Sequence, residues 1–280
     1  MKKRVAIALG VIVLVVLAFF PVSLVALPEM TPQAYLETIP YIEIGRNIII
    51  TPSSTIIVYL LGLVTLYFGV MLYRQKLSRV KMLWGLTLIL WGIGTLLSGT
   101  SYQGLGYELK CRGVSLCLFT SWFELSYLFV TAISITVMGY AVAEKTLKDR
   151  SKELYLKVVS VGLGVYSVSL VLGTILEIKL LITYEYFLIF FMPYFVSFLI
   201  MNIKGYKHHK NDLDKGLIIV WLLMLVVNVV YFIYFFSGIP EGLYENYGVW
   251  FSANDVLHIG LIGWMVYIYF VINKKETPNI

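Results

Sequence analysis

Near its carboxyl end the chain places Asn254, Asp255 and His258 inside an otherwise apolar stretch, Phe251 to Asn273. Asp255 and His258 are three residues apart and Asn254 and His258 four, so on a helix all three project toward one sector. A carboxylate beside an imidazole is the pairing used for general acid–base chemistry, proton movement and metal ligation. The neighbouring anion would favour the charged imidazole. Two further stretches carry polar groups in similar settings. Residues 98–108 put Tyr102, Gln103, Tyr107 and Glu108 at the end of one apolar run, and residues 120–127 put Glu124 and Tyr127 three apart at the start of the next. Glu185 and Asn228, in two later runs, complete a set of polar residues that could face one space.

These residues need explaining because the elements that hold them are built for lipid. With 59% hydrophobic and 14% charged residues and a mean hydropathy of +0.84 over 280 residues, the chain does not describe one water-soluble core. A helix of about 20 uncharged residues crosses the hydrocarbon layer and satisfies its own backbone. Eight runs qualify, near residues 5–26, 53–73, 82–101, 118–143, 158–176, 180–203, 216–237 and 251–273. The predicted class is an all-α polytopic transmembrane bundle. It divides into a hydrophobic segment at 1–27, a linker at 28–52, a seven-helix body at 53–273 and a tail at 274–280. An ionisable group inside such a body costs on the order of 3 kcal/mol. Alternatives to a shared site are that Glu124 and Glu185 snorkel to the headgroups and that Asn228 bridges helices.

Charge orients the bundle. Of 22 Lys and Arg residues, 18 fall at the amino terminus, in the connections near 74–81, 144–157 and 204–215, and in the tail. Only Arg46, Lys110, Arg112 and Lys179 fall on the other side. The excess marks the cytoplasmic side, so the carboxyl terminus is expected there and the polar cluster on the outer face. The net charge of +6 then reflects membrane orientation and gives no reason to expect nucleic acid as a partner. The partners expected are membrane lipids and a small-molecule or lipid ligand. The first run, preceded by Met-Lys-Lys-Arg, reads as a retained anchor or as a cleaved signal segment.

Cys111 and Cys117 lie six apart on the outer side, where an oxidising compartment permits a disulfide; with no His nearby they are an incomplete zinc set. Gly85, Gly92, Gly99 and Gly106 recur every seven residues, and Gly62 and Gly69 repeat the interval on the preceding run, which points to close helix packing. Pro193 is expected to kink its helix. His208 and His209, among lysines, read as solvated.

The segments at 99–104 and 254–258, with an acid opening the run between, resemble the seven-helix superfamily of alkaline ceramidases and adiponectin-receptor-like proteins. They also resemble uncharacterised prokaryotic multi-spanning proteins. The first resemblance implies zinc-dependent hydrolysis of lipid amides; a metal-dependent hydrolase of lipid amides or esters built from this chain would need His258, Asp255 and Glu124 to share the ion as its catalytic groups, with Gln103 positioning water. In this chain only His258 matches that superfamily's ligands; Gln103, Gly99 and Asn254 stand where its other His and Ser residues fall. The reading carried forward is an outer-facing polar pocket, formed by Glu124, Asp255, His258 and Gln103, that binds or senses a lipid-like or small ligand. A metal-dependent hydrolase and a proton-coupled transporter are the alternatives. Against the transporter, no inverted repeat is visible and the inner halves of the runs lack charge. No phosphate-binding glycine loop, nucleophile elbow or His-Glu-x-x-His motif is present.

Overall fold

The computed structural model describes residues 30–274. The anchor-or-signal segment and most of the tail lie outside the described residues. Among the described residues, seven helices are long and apolar enough to cross a membrane. We number the helices in chain order as α2 (Pro52–Gln75), α3 (Arg79–Ser98), α5 (Trp122–Thr146), α6 (Asp149–Ile175), α7 (Tyr184–His209), α8 (Asp212–Phe235) and α10 (Ala253–Asn273) for these spans. Short elements sit between them: α1 (Pro32–Glu37), α4 (Gly106–Lys110) and α9 (Ile239–Tyr247). The chain is a multi-pass membrane protein with an all-α helical bundle.

Burial identifies the centre of the bundle. In α5, 83% of the apolar window is buried, against 17% in α8, so α5 is the hub and α8 lies at the periphery. Leu60, Val161, Val165, Ile189, Leu225 and Phe270 are exposed apolar residues on the surrounding helices, as a lipid-facing surface requires. Trp84, Trp264, Tyr166 and Phe191 fill the interior.

The glycine spacing becomes a seam between α2 and α3. A Cβ on Gly69 would sit 2.6 Å from the Ile89 amide nitrogen, and one on Gly85 would sit 2.6 Å from that of Tyr73. Only glycine permits that backbone approach, which takes the place of a hydrophobic driving force in lipid. Pro193 lies within α7, which continues through it to His209.

The connections are tighter at the lysine-rich end than hydropathy predicts. Helices run past their last apolar residue, leaving residues 76–78, 147–148 and 210–211 as turns where loops of 8 to 14 residues are expected. Local capping explains the difference. Ser78 and Asn211 accept from the amides of Lys81 and Asp214, and Lys76 and Lys210 adopt left-handed backbone at the helix ends. Asp214 is buried here, bonded to Asn202 and Asn211, so charge does reach the interior at this end.

The opposite end carries the disulfide Cys111–Cys117. The segment expected to be a linker is folded against this end. Strands β1 (Tyr41–Ile44) and β2 (Asn47–Ile50) form a hairpin around Gly45, whose φ of +64° suits the turn. The amide of Ile48 donates to Glu108 Oε1 at 2.7 Å, and Ile50 is buried.

Candidate functional site

The expected polar cluster divides into two places. Beyond Ser98, helix α3 continues as a π-helix, Gly99–Gly104. Wider turns of this kind occur often at functional sites, because they rotate successive side chains away from the α-helical register. Here the π-helix sends neighbouring residues in different directions. Ser101 joins a buried charge network, whereas Tyr102 and Gln103 line a cavity. Gly106 closes the turn, since a Cβ there would stand 2.5 Å from the Ser101 carbonyl oxygen.

Glu124 belongs to the charge network. It is 2% exposed, with Lys110 Nζ at 2.9 Å from Oε1, Ser101 donating to Oε1 at 2.8 Å and Thr120 donating to Oε2 at 2.9 Å. These contacts tie the π-helix, α4 and the start of α5 together. A buried carboxylate with this many donors is a satisfied structural group. Glu124 does not line the cavity. Glu108 likewise pairs with Arg112 at 2.7 Å and holds the hairpin, while the Tyr107 ring packs against Tyr35 at 6.5 Å. Burial pushes the Tyr35 phenol above its usual range, with Lys110 pulling it down and Glu124 adding to the rise.

Asp255 is also committed locally. Its Oδ2 accepts from the Ser252 amide at 2.6 Å and the Ser252 hydroxyl at 3.0 Å, and the Ser252 hydroxyl accepts from the Asp255 amide, forming a capping box at the start of α10. Asp255 Oδ1 and His258 Nδ1 are both buried without a hydrogen-bond partner, so the expected Asp–His pairing through these atoms is not formed. Asn228 donates to the Met224 carbonyl of its own helix.

The remaining predicted residues do share a space. Tyr102, Gln103, Tyr127, Glu185, Asn254 and His258 line one cavity of about 250 Å³ between α3, α5, α7, α8 and α10. Sequence reasoning missed Thr131, Tyr184 and Tyr231, which line it as well. Thr131 follows Tyr127 by four on α5, a spacing that could have identified it. The cavity is amphiphilic. Glu185, Asn254 and Gln103 stand near the disulfide end of their helices, while Leu61, Trp91, Ile135 and Leu261 line its deeper part. From Tyr127 to Ile135 the lining descends eight residues, or about 12 Å at the helical rise.

Three polar atoms on different helices are left over in this lining. Gln103 Oε1, Thr131 Oγ1 and His258 Nδ1 are buried with no hydrogen-bond partner, and Gln103 and Thr131 are only 6% and 3% exposed as residues. Buried polar groups in native proteins are paired with few exceptions, so three such residues around one space mark it as a candidate binding site. Among the described residues the lining includes one formal charge, Glu185, and no Lys or Arg.

The donor set does not fit zinc. Among the described residues no group of three or more His, Cys, Asp and Glu residues is placed to hold a metal ion. The ligand set of His258, Asp255 and Glu124 is corrected accordingly: Glu124 is held by Lys110, and Asp255 caps its own helix.

No curated protein and no solved structure matches the chain. A family model described as a family of unknown function, DUF6962, matches residues 53–277, a segment that begins within the first turn of α2 and covers all seven long helices. The chain therefore belongs to the DUF6962 family.

Proposed function

We propose that this protein is a receptor that binds a small amphiphilic molecule, neutral or cationic, in the cavity between α3, α5 and α10. The observation that carries the reading is the trio of unpartnered polar atoms on Gln103, Thr131 and His258 around one amphiphilic space. A ligand with a hydroxyl or ammonium head would supply donors to Gln103 Oε1, and its alkyl part would lie against Trp91, Ile135 and Leu261. The Glu185 carboxylate, with no lining cation, disfavours an anionic head. The tyrosine rings of Tyr127 and Tyr184 in the lining favour a cationic one. The Lys/Arg bias supports an orientation in which this cavity lies near the outer leaflet and the carboxyl terminus is cytoplasmic.

The test uses the intrinsic tryptophan fluorescence of the protein in lipid nanodiscs, with Trp91 as the reporter beside the cavity. Octylamine, octanol and octanoate share one chain length and differ in charge. Saturable quenching ranked octylamine, then octanol, then octanoate is expected, with Gln103→Leu weakening the first two by about tenfold, the loss of roughly one buried hydrogen bond to a charged group. Absence of saturable binding by all three probes would overturn the reading.

A further inference from the structure

The end of the bundle opposite the disulfide holds a second and wider recess, of about 960 Å³. Five lysines line it, each from a different part of the chain: Lys81 in the first turn of α3, Lys145 in the last turn of α5, Lys210 closing α7, Lys215 in α8 and Lys274 just after α10. Among the described residues the one acid in the lining is Asp212, an exposed residue whose Oδ2 lies 3.0 Å from Lys274 Nζ. The neighbouring Asp214 is turned inward to Asn202 and Asn211 and does not line the recess.

The wall of the same recess is apolar. Ile219 on α8 and Tyr267, Phe270 and Val271 on α10 form a strip leading from the lysines along the bundle. Ile219 and Phe270 are exposed, as positions facing acyl chains are. The close approach of α8 to α10 at Gly216, where a Cβ would stand 2.7 Å from Val271 Cγ1, forms the back of the recess. Helices α3 and α8 both begin here, so the partial positive charge of two helix amino termini adds to that of the lysines.

Among the described residues the lining lysines outnumber the one lining carboxylate and concentrate positive charge in a concave space, and the matching ligand carries phosphate. The adjoining hydrocarbon strip makes a diacyl source fit better than a soluble one. We propose that this recess is a binding site for the phosphate headgroup of an anionic phospholipid, whose acyl chain lies on the α8–α10 strip. The site is separate from the amphiphile cavity, and its occupancy does not depend on that reading.

The experiment is native mass spectrometry of the detergent-purified full chain titrated with phosphatidic acid, with phosphatidylcholine of the same acyl chains and with glycerol 3-phosphate. Saturable binding of phosphatidic acid is expected, at least about tenfold tighter than that of phosphatidylcholine. Lys81→Gln, Lys215→Gln and Lys274→Gln combined should remove that preference. Lys148→Gln, Arg150→Gln and Lys157→Gln combined remove three exposed cations of the same end outside the recess and should keep it. Equal loss in the two triple variants, or no preference in the native chain, would overturn the proposal. Glycerol 3-phosphate that displaces the lipid at equal concentration would overturn the lipid as the source and assign the recess to soluble phosphate esters. Failure to displace it supports the lipid.

Discussion

Lys110 Nζ stands 2.9 Å from Glu124 Oε1, with Glu124 buried and Lys110 half-buried beside the disulfide-closed loop. Truncating one partner strands the other. We expect Lys110→Met to destabilise the protein by about 3–5 kcal/mol, and the Lys110→Met, Glu124→Leu double variant to cost clearly less than the sum of the two single changes. Reversible unfolding in mixed micelles measures each corner of that cycle.

The glycine seam gives a position-specific prediction. Gly85→Ala places a methyl 2.6 Å from a backbone nitrogen of α2 and should cost about 1–3 kcal/mol through forced separation of the helices. Gly164→Ala and Gly263→Ala meet nothing within 4 Å and should be neutral or stabilising by up to about 1 kcal/mol, since alanine is the better helix former. Thermal unfolding of the three variants distinguishes the seam from helical glycines in general.

Asp255 separates a cap from a binding group. Asp255→Ala should lower stability by about 1 kcal/mol, as loss of a helix cap does, while octylamine affinity stays within about twofold of the native value. His258→Ala should show the reverse balance, with weakened binding at nearly unchanged unfolding temperature. The comparison reads both quantities on the same preparations.

Alkaline pH probes the folded hairpin end. The Tyr35 phenol, whose unfolded value is 10.0, titrates higher in the folded chain because burial disfavours phenolate. Its contribution is fully present below pH 10 and is lost as the pH rises from there through the folded value, because the unfolded chain ionises first. Tyr35→Phe should therefore show a shallower loss of stability above pH 10, measured as unfolding midpoint against pH.

The seven spans were legible because each carries its own hydropathy signal over 20 or more residues, independent of the others. Helix ends were not, because the caps at Ser78 and Asn211 extend helices into polar sequence where hydropathy falls. The hairpin at 41–50 had a local signature, two β-branched runs flanking Gly45, that lies within a segment read only as a connection. Among the site residues, side-chain type pointed to the right end of the bundle but not to partners. Glu124 finds Lys110 across a disulfide loop, a tertiary contact with no sequence period. Asp255 is the instructive case: Ser252 three residues earlier is a capping-box signature, which accounts for its Oδ2 without any ligand. The π-helix decides that Gln103 meets the cavity and Ser101 meets Glu124, and no residue pattern announced it.

Filling the cavity tests whether it is a place of binding. Ser98 lines the cavity and donates to the Thr95 carbonyl of its own helix, so Ser98→Phe occupies the space and leaves the interhelical hydrogen bonds of the described residues in place. Octylamine titration of this variant in nanodiscs should show saturable tryptophan quenching abolished, with the unfolding temperature kept within a few degrees of the native protein. Unchanged octylamine affinity in the folded Ser98→Phe protein would contradict the account.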